Sequence, residues 1–259
     1  MTISDKVVTI NNVSKSYGKQ KVLKEINLDI AEGEIFGLLG PSGAGKTTLV
    51  KQLVGLEEVS SGEIQLLSEK QPSLALIEKI GYMAQSDALY TELSARENLE
   101  FFISLYDLTK KERKERIKEV MRVVDLEDSM DKIVSQYSGG MKRRLSLAIA
   151  MLHEPAILIL DEPTVGMDPI LRKSIWGNFD TLKKTGVTII VTTHVMDEAE
   201  KCDRLGMIRE GKLTAVGSPE ELKKEAEVKD LEAAFLVFGG VHNENKSIGH
   251  KNSAAVQAG

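Results

Sequence analysis

The chain has 259 residues, 42% of them apolar, so it can bury a core; at roughly 150 residues per domain it holds one large domain or two small ones. Its 34 Lys and Arg against 39 Asp and Glu leave a formal charge of -5 and a pI near 5.6, the wrong sign for a protein whose main partner is bare nucleic acid. The one cysteine, Cys202, excludes an internal disulfide, and none of His153, His194, His242 and His250 stands at zinc-site spacing from it, so a reducing interior is expected.

No basic run followed by an apolar core opens the chain, which argues against a secretory signal. The most apolar stretches, 156–160 and 187–191, are only strand-sized, so no bilayer span is expected and any work at a membrane requires docking to another protein. Short apolar runs at 7–10, 23–30 and 35–39 read as strands, the last two separated by the turn-like Ala31-Glu32-Gly33-Glu34. Strand 35–39 leads into Gly40-Pro41-Ser42-Gly43-Ala44-Gly45-Lys46-Thr47 and then a helical run over 48–54. That order of strand, glycine loop and helix is what a phosphate-binding loop needs: bent backbone aims N–H groups at phosphate oxygens, Lys46 neutralises them, and Thr47 offers a hydroxyl to Mg2+. A nucleoside triphosphatase and a kinase are both compatible with it.

Strands over 63–67 and 79–83 follow. Ser94-Ala95-Arg96-Glu97 and Thr109-Lys110-Lys111-Glu112 match the capping box that opens a helix, and Ile117, Val120, Met121 and Val124 give the second helix one apolar face. The mixed charges of 110–116 read as a solvated helix face rather than a phosphate patch. A helix then runs to 153, followed by strand 156–160, helix 170–184, strand 187–192, a helix from Met196, a hairpin over 205–209 and 213–216, and a charged helix from Pro219. Strands separated by helices signal a parallel sheet, so the core is α/β. From Gly239 onward the chain is polar and aperiodic and is expected to be disordered.

Strand 156–160 ends in Asp161-Glu162, two acids that are costly to bury unless a cation and a water use them. Asp161 suits a Mg2+ shell; Glu162, pointing elsewhere, suits polarising an attacking water. His194 ends a third core strand and is placed as a γ-phosphate contact, against the bland alternative of a structural histidine.

Tyr137-Ser138-Gly139-Gly140-Met141, just before a helix with Leu145, Ala148, Ile149 and Leu152 as an apolar stripe, narrows the class. Here the sequence resembles the ATP-binding cassette (ABC) ATPases over residues 7–221, and Ser138-Gly139-Gly140 is similar to their signature loop, physically a second anion site at a helix start. The resemblance implies a P-loop, RecA-like, mostly parallel core (1–85 and 141–238) with an N-terminal antiparallel β subdomain, an inserted helical subdomain at 86–140 and a tail at 239–259. It implies ATP and Mg2+ bound by the whole loop from Gly40 to Thr48, with Pro41, Ser42, Gly43, Ala44 and Gly45 between, and by Thr47, Gln85 and Asp161 at the metal. Tyr17 resembles the aromatic under adenine, Asp168 the aspartate crossing the interface, and Glu162, His194 and Lys46 the catalytic set. Partners implied are a second copy or a related cassette arranged head to tail, and a separate transmembrane permease that would hold the chain at the cytoplasmic face of the membrane, with no nucleic acid and no direct insertion. The commonest signature starts with Leu and ends in Gln; Tyr137 and Met141 instead resemble the exporter branch. A cassette ATPase acting on DNA or ribosomes is the rival expectation, and a small-molecule kinase a third.

Overall fold

The computed structural model describes residues 6–240. Two long strands, β1 (Lys6–Tyr17) and β2 (Gln20–Ala31), form an antiparallel hairpin, and β3 (Ile35–Leu39) then enters a different sheet. After α1 (Lys46–Leu53) the chain returns to the first sheet with β4 (Ser61–Leu66) and β5 (Glu69–Lys70), giving the order β2-β1-β4-β5. β6 (Ile80–Met83) goes back to the second sheet.

The helices that follow are α2 (Ala95–Ile103), α3 (Lys110–Val123) and α4 (Gly139–Met151). Both expected capping boxes form: Ser94 and Thr109 accept the N–H of Glu97 and Glu112, whose carboxylates accept the N–H of Ser94 and Thr109 in turn. The charge run on α3 is exposed or half-buried, as a solvated face should be, while Ile117, Val120 and Met121 are buried. The remaining elements are β7 (Ile157–Asp161), α5 (Pro169–Lys184), β8 (Thr188–Thr193), α6 (Met196–Ala199), β9 (Arg204–Arg209), β10 (Lys212–Gly217), α7 (Pro219–Glu225) and α8 (Leu231–Phe238).

The second sheet has the order β10-β9-β3-β8-β7-β6, parallel throughout except for β10 at its edge. β3, β7 and β8 are buried at every position, as strands covered on both faces must be. Their side chains alternate between two cores. Ile35, Leu39, Leu158, Leu160, Ile189 and Val191 face the core shared with α2 to α5, and Phe36, Leu38, Ile157, Ile159 and Ile190 face the core shared with the hairpin sheet and α1. Each such side chain contributes about 1.5–3 kcal/mol, and a slip of one residue would exchange the two sets, so the register is tightly specified. That register pairs Leu39 with Thr193, Thr192 with Asp161, and Leu160 with Met83. The loops that start at Gly40, Glu162, His194 and Ala84 therefore leave one edge of the sheet side by side.

Several expectations need correction. Strands 23–30 and 35–39, separated only by a short turn, lie in different sheets, because β2 has one covered face while β3 has neighbours on both edges and cover on both faces. β1 is longer than 7–10, since its exposed Asn11 and Asn12 interrupt the apolar pattern without ending the pairing. The helix from Met196 lasts one turn, and α8, capped by Asp230, was not anticipated as a separate helix. The expected disordered tail starts at Gly239, but Gly239 and Gly240 form the turn that ends α8, and 241–259 lie outside the described residues.

Candidate functional site

The loop after β3 is shaped by what its glycines omit. A Cβ on Gly40 would sit 2.4 Å from the Ile208 carbonyl oxygen, so only glycine lets the loop pass β9. Gly45 has φ 109 and caps α1 without a side chain, leaving the first-turn N–H groups of that helix directed at the loop's interior. Lys46 is buried, and its Nζ donates to the carbonyls of Gly40 at 2.6 Å and Pro41 at 3.1 Å. Burial pushes the ammonium below its ordinary range, against the pull of Glu162 and Asp161. The ammonium is thus held on the loop by backbone carbonyls.

Asp161 ends β7 and is 1% exposed. Thr192 Oγ1 donates to its Oδ1, while Oδ2 has no hydrogen-bond partner among the described residues. A buried, orphaned carboxylate oxygen costs about 1–3 kcal/mol unless something fills it. Thr47 and Gln85 line a cleft that the residue after Asp161, Glu162, also lines, so the donors offered there, the Thr47 hydroxyl, the Gln85 amide oxygen and the Asp161 carboxylate behind them, are hard oxygens of the type a divalent cation such as Mg2+ takes. The residues present fit that ion.

Glu162 turns away from Asp161 through a left-handed φ of 52, its N–H donating to Thr192. Its Oε2 lies 3.4 Å from Gln85 Nε2 and its Oε1 lies 3.0 Å from His194 Nδ1. Gln85, Glu162 and His194, which come from three strand ends, thus form one line. A cleft of about 270 Å³ lies between this line and the loop, bounded by Ser42, Gly43, Lys46, Thr47, Gln85 and Glu162. Tyr17 stands near it, half exposed, its hydroxyl donating to Glu57 with Thr48 alongside. The Glu57 carboxylate, helped by partial burial, raises the phenol above its usual range.

Ser138, Gly139, Gly140 and Asp168 do not line that cleft. Ser138 caps α4, its Oγ accepting the Met141 N–H at 3.2 Å, and Asp168 caps α5 by accepting the N–H groups of Ile170 and Leu171. A Cβ on Gly140 would lie 3.4 Å from the Gly166 carbonyl, so the two turns are neighbours, and Ser138, Gly139 and Asp168 are exposed. The Ser138 turn and Asp168 therefore form an exposed surface separate from the cleft.

A family profile described as ABC transporter matches residues 23–165. The chain belongs to the ABC transporter family. It is 41% identical over 248 residues to the Nod factor export ATP-binding protein I of Sinorhizobium fredii, covering 95% of this chain and 71% of that one. It is 39% identical over 258 residues to a protein of Escherichia coli described as "Probable multidrug ABC transporter ATP-binding protein YbhF", covering 97% of this chain but spanning only 44% of the length of that relative. A solved ATP-binding cassette, a dimer in a post-hydrolysis state with ADP and Pi, superposes with a TM-score of 0.76 at 30% identity over 82% of this chain and 98% of that one.

Within this cassette, Tyr137 has a local explanation: it is buried, and its hydroxyl donates to the Ser129 carbonyl at 2.6 Å, a bond that leucine could not make. Burial raises its phenol above the usual range. Sequence reasoning missed three residues of the cassette's polar framework. Thr192 bonds Asp161 and Glu162 but looks like one more strand threonine. Buried Glu198 accepts from Thr193 Oγ1 at 2.7 Å and from Thr164, joining the strand before His194 to the turn before Asp168. Arg143 lies buried among backbone carbonyls, where residue identity leaves no trace. A charge next to a buried small residue was the one available signal, and it existed only for Glu198 beside Ala199.

Proposed function

We propose that this chain binds and hydrolyses ATP as the motor subunit of an exporter whose membrane-spanning permease is a separate protein. The observation that carries the reading is the line Gln85–Glu162–His194 facing the Lys46 loop, with the orphaned Asp161 oxygen beside it. Exporter subunits among the relatives favour transport outward over work on DNA or ribosomes. Among the described residues no helix is long and apolar enough to cross a membrane, which suits a motor that sits at the cytoplasmic face against its permease.

Loop N–H groups and Lys46 bind the phosphates, and Tyr17 lies under the base. Thr47, Gln85 and Asp161 would hold Mg2+, which supplies charge neutralisation between phosphate oxygens when bound. Glu162 accepts the proton of the attacking water on a carboxylate oxygen; Gln85 orients that water; His194, fixed by Glu162, faces the γ-phosphate. Ser138, Gly139 and Gly140 lie outside this cleft and reach nucleotide only in a partner cassette, either a second copy or a relative, with Asp168 at the same face. Closure of that dimer excludes water, and hydrolysis reopens it.

Mixing a Lys46→Ala variant with a Ser138→Arg variant tests the composite site. Each heterodimer then holds one intact and one doubly damaged site, so the expected ATPase is partial recovery over either variant alone. Recovery to the activity of the unmodified dimer, or none at all from heterodimers shown to form, would refute sites shared between copies.

A further inference from the structure

Arg143 is 6% exposed, yet its nearest acid, Asp87, lies 3.6 Å away on a partly exposed loop. A guanidinium in that position must spend its donors on something else. Nη1 donates to the carbonyls of Ala84 at 2.6 Å and Gln85 at 3.0 Å; Nη2 donates to the carbonyl of Glu162 at 2.9 Å and to that of Asp161. The four acceptors belong to the two segments that leave the adjacent strands β6 and β7. Those segments meet again through their side chains, at Gln85 Nε2 and Glu162 Oε2.

Glu162 holds φ 52, which a non-glycine residue keeps only where its surroundings over-determine it. The Arg143 bond to its carbonyl and the Thr192 bond to its N–H are such surroundings. A planar fork spans both segments at once, whereas a lysine ammonium is a single point and reaches one. Arg143 also belongs to α4, whose N-cap is Ser138.

We propose that Arg143 is a positioning residue for hydrolysis: from the helix that begins at the Ser138 turn, it clamps the Gln85 loop and the Glu162 turn together. Displacement of that turn by a partner is thereby passed to the subunit's own water-handling pair. The inference rests on Gln85 and Glu162 having that role.

The test compares Arg143→Lys and Arg143→Gln with Gln85→Ala and Glu162→Gln in the full chain, by steady-state ATPase and by binding of a fluorescent ATP analogue. A misplaced pair lowers kcat by about tenfold to a hundredfold. KM and analogue affinity are expected to stay within about twofold, the pattern of an interaction made only in the transition state. On the Gln85→Ala background, Arg143→Gln is expected to add less than about twofold, because both act through one unit. Unchanged kcat in a folded Arg143 variant, or KM rising in step with lost activity, overturns the proposal while Glu162→Gln remains inactive. Normal turnover in Glu162→Gln overturns the assignment of the base, and the Arg143 proposal with it. Should Arg143→Gln not fold, Arg143→Lys decides by amide hydrogen exchange: faster exchange in both 84–87 and 162–166 supports the clamp, and unchanged exchange in both overturns it.

Discussion

Replacing Asp161 by Asn separates the two demands on that position. The carboxylate is 1% exposed, makes no ion pair among the described residues, and leaves Oδ2 without a partner. An unpaired buried polar atom costs about 1–3 kcal/mol, more when it carries charge. Asp161→Asn keeps the shape and the oxygen that accepts from Thr192, gives up the attraction to Lys46, and exchanges an unpartnered charged oxygen for an unpartnered neutral NH2, which costs less to bury. The nucleotide-free protein is therefore expected to gain about 1 kcal/mol, a rise in Tm of about 2–4 °C for a domain of this size. Ligand at a hundredfold its Kd stabilises by about 2.7 kcal/mol, so Mg·ATP should raise the Tm of the unmodified chain further. In Asp161→Asn the part of that rise that disappears with a chelator should be missing already, while the shift from ATP in chelator is retained. Differential scanning fluorimetry with and without ATP, Mg2+ and chelator reads all of these states. A variant less stable than its parent without nucleotide, or one with the full Mg2+-dependent shift, would show that this oxygen is not held ready for a cation.

Tyr17→Ala should raise KM for ATP by about fivefold to a hundredfold with kcat little changed, as expected for a lost stacking surface, while Tyr17→Phe, which loses only the bond to Glu57, should stay near the parent; equal KM values for all three would remove the base from this ring. Cys202 is buried, and burial together with Asp203 and Glu198 raises its thiol above the usual range, so the native protein should resist a thiol-specific chromogenic reagent that labels the urea-unfolded chain at once. Labelling of the native protein at the rate of a free thiol would contradict the packing around it.

Residue identities alone located the glycine loop, the acids after β7 and the Ser138 turn, because each needs particular side chains at particular spacing: a lysine on a glycine bend, carboxylates at a strand end, a hydroxyl at a helix start. The capping boxes at Ser94 and Thr109 were readable for the same reason, since both partners lie within one turn. What tertiary structure decided was how these pieces face one another. Local pattern left 23–30 and 35–39 as two strands across a short turn, and only coverage of both faces of β3 placed it at the centre of the parallel sheet. The same register sets Leu39, Thr193, Asp161 and Met83 at one edge and so converts four separate loops into a cleft. Arg143 was the least legible residue of all, because its four partners are backbone carbonyls, which every residue carries, and nothing in a string of side chains marks which of them a guanidinium will reach.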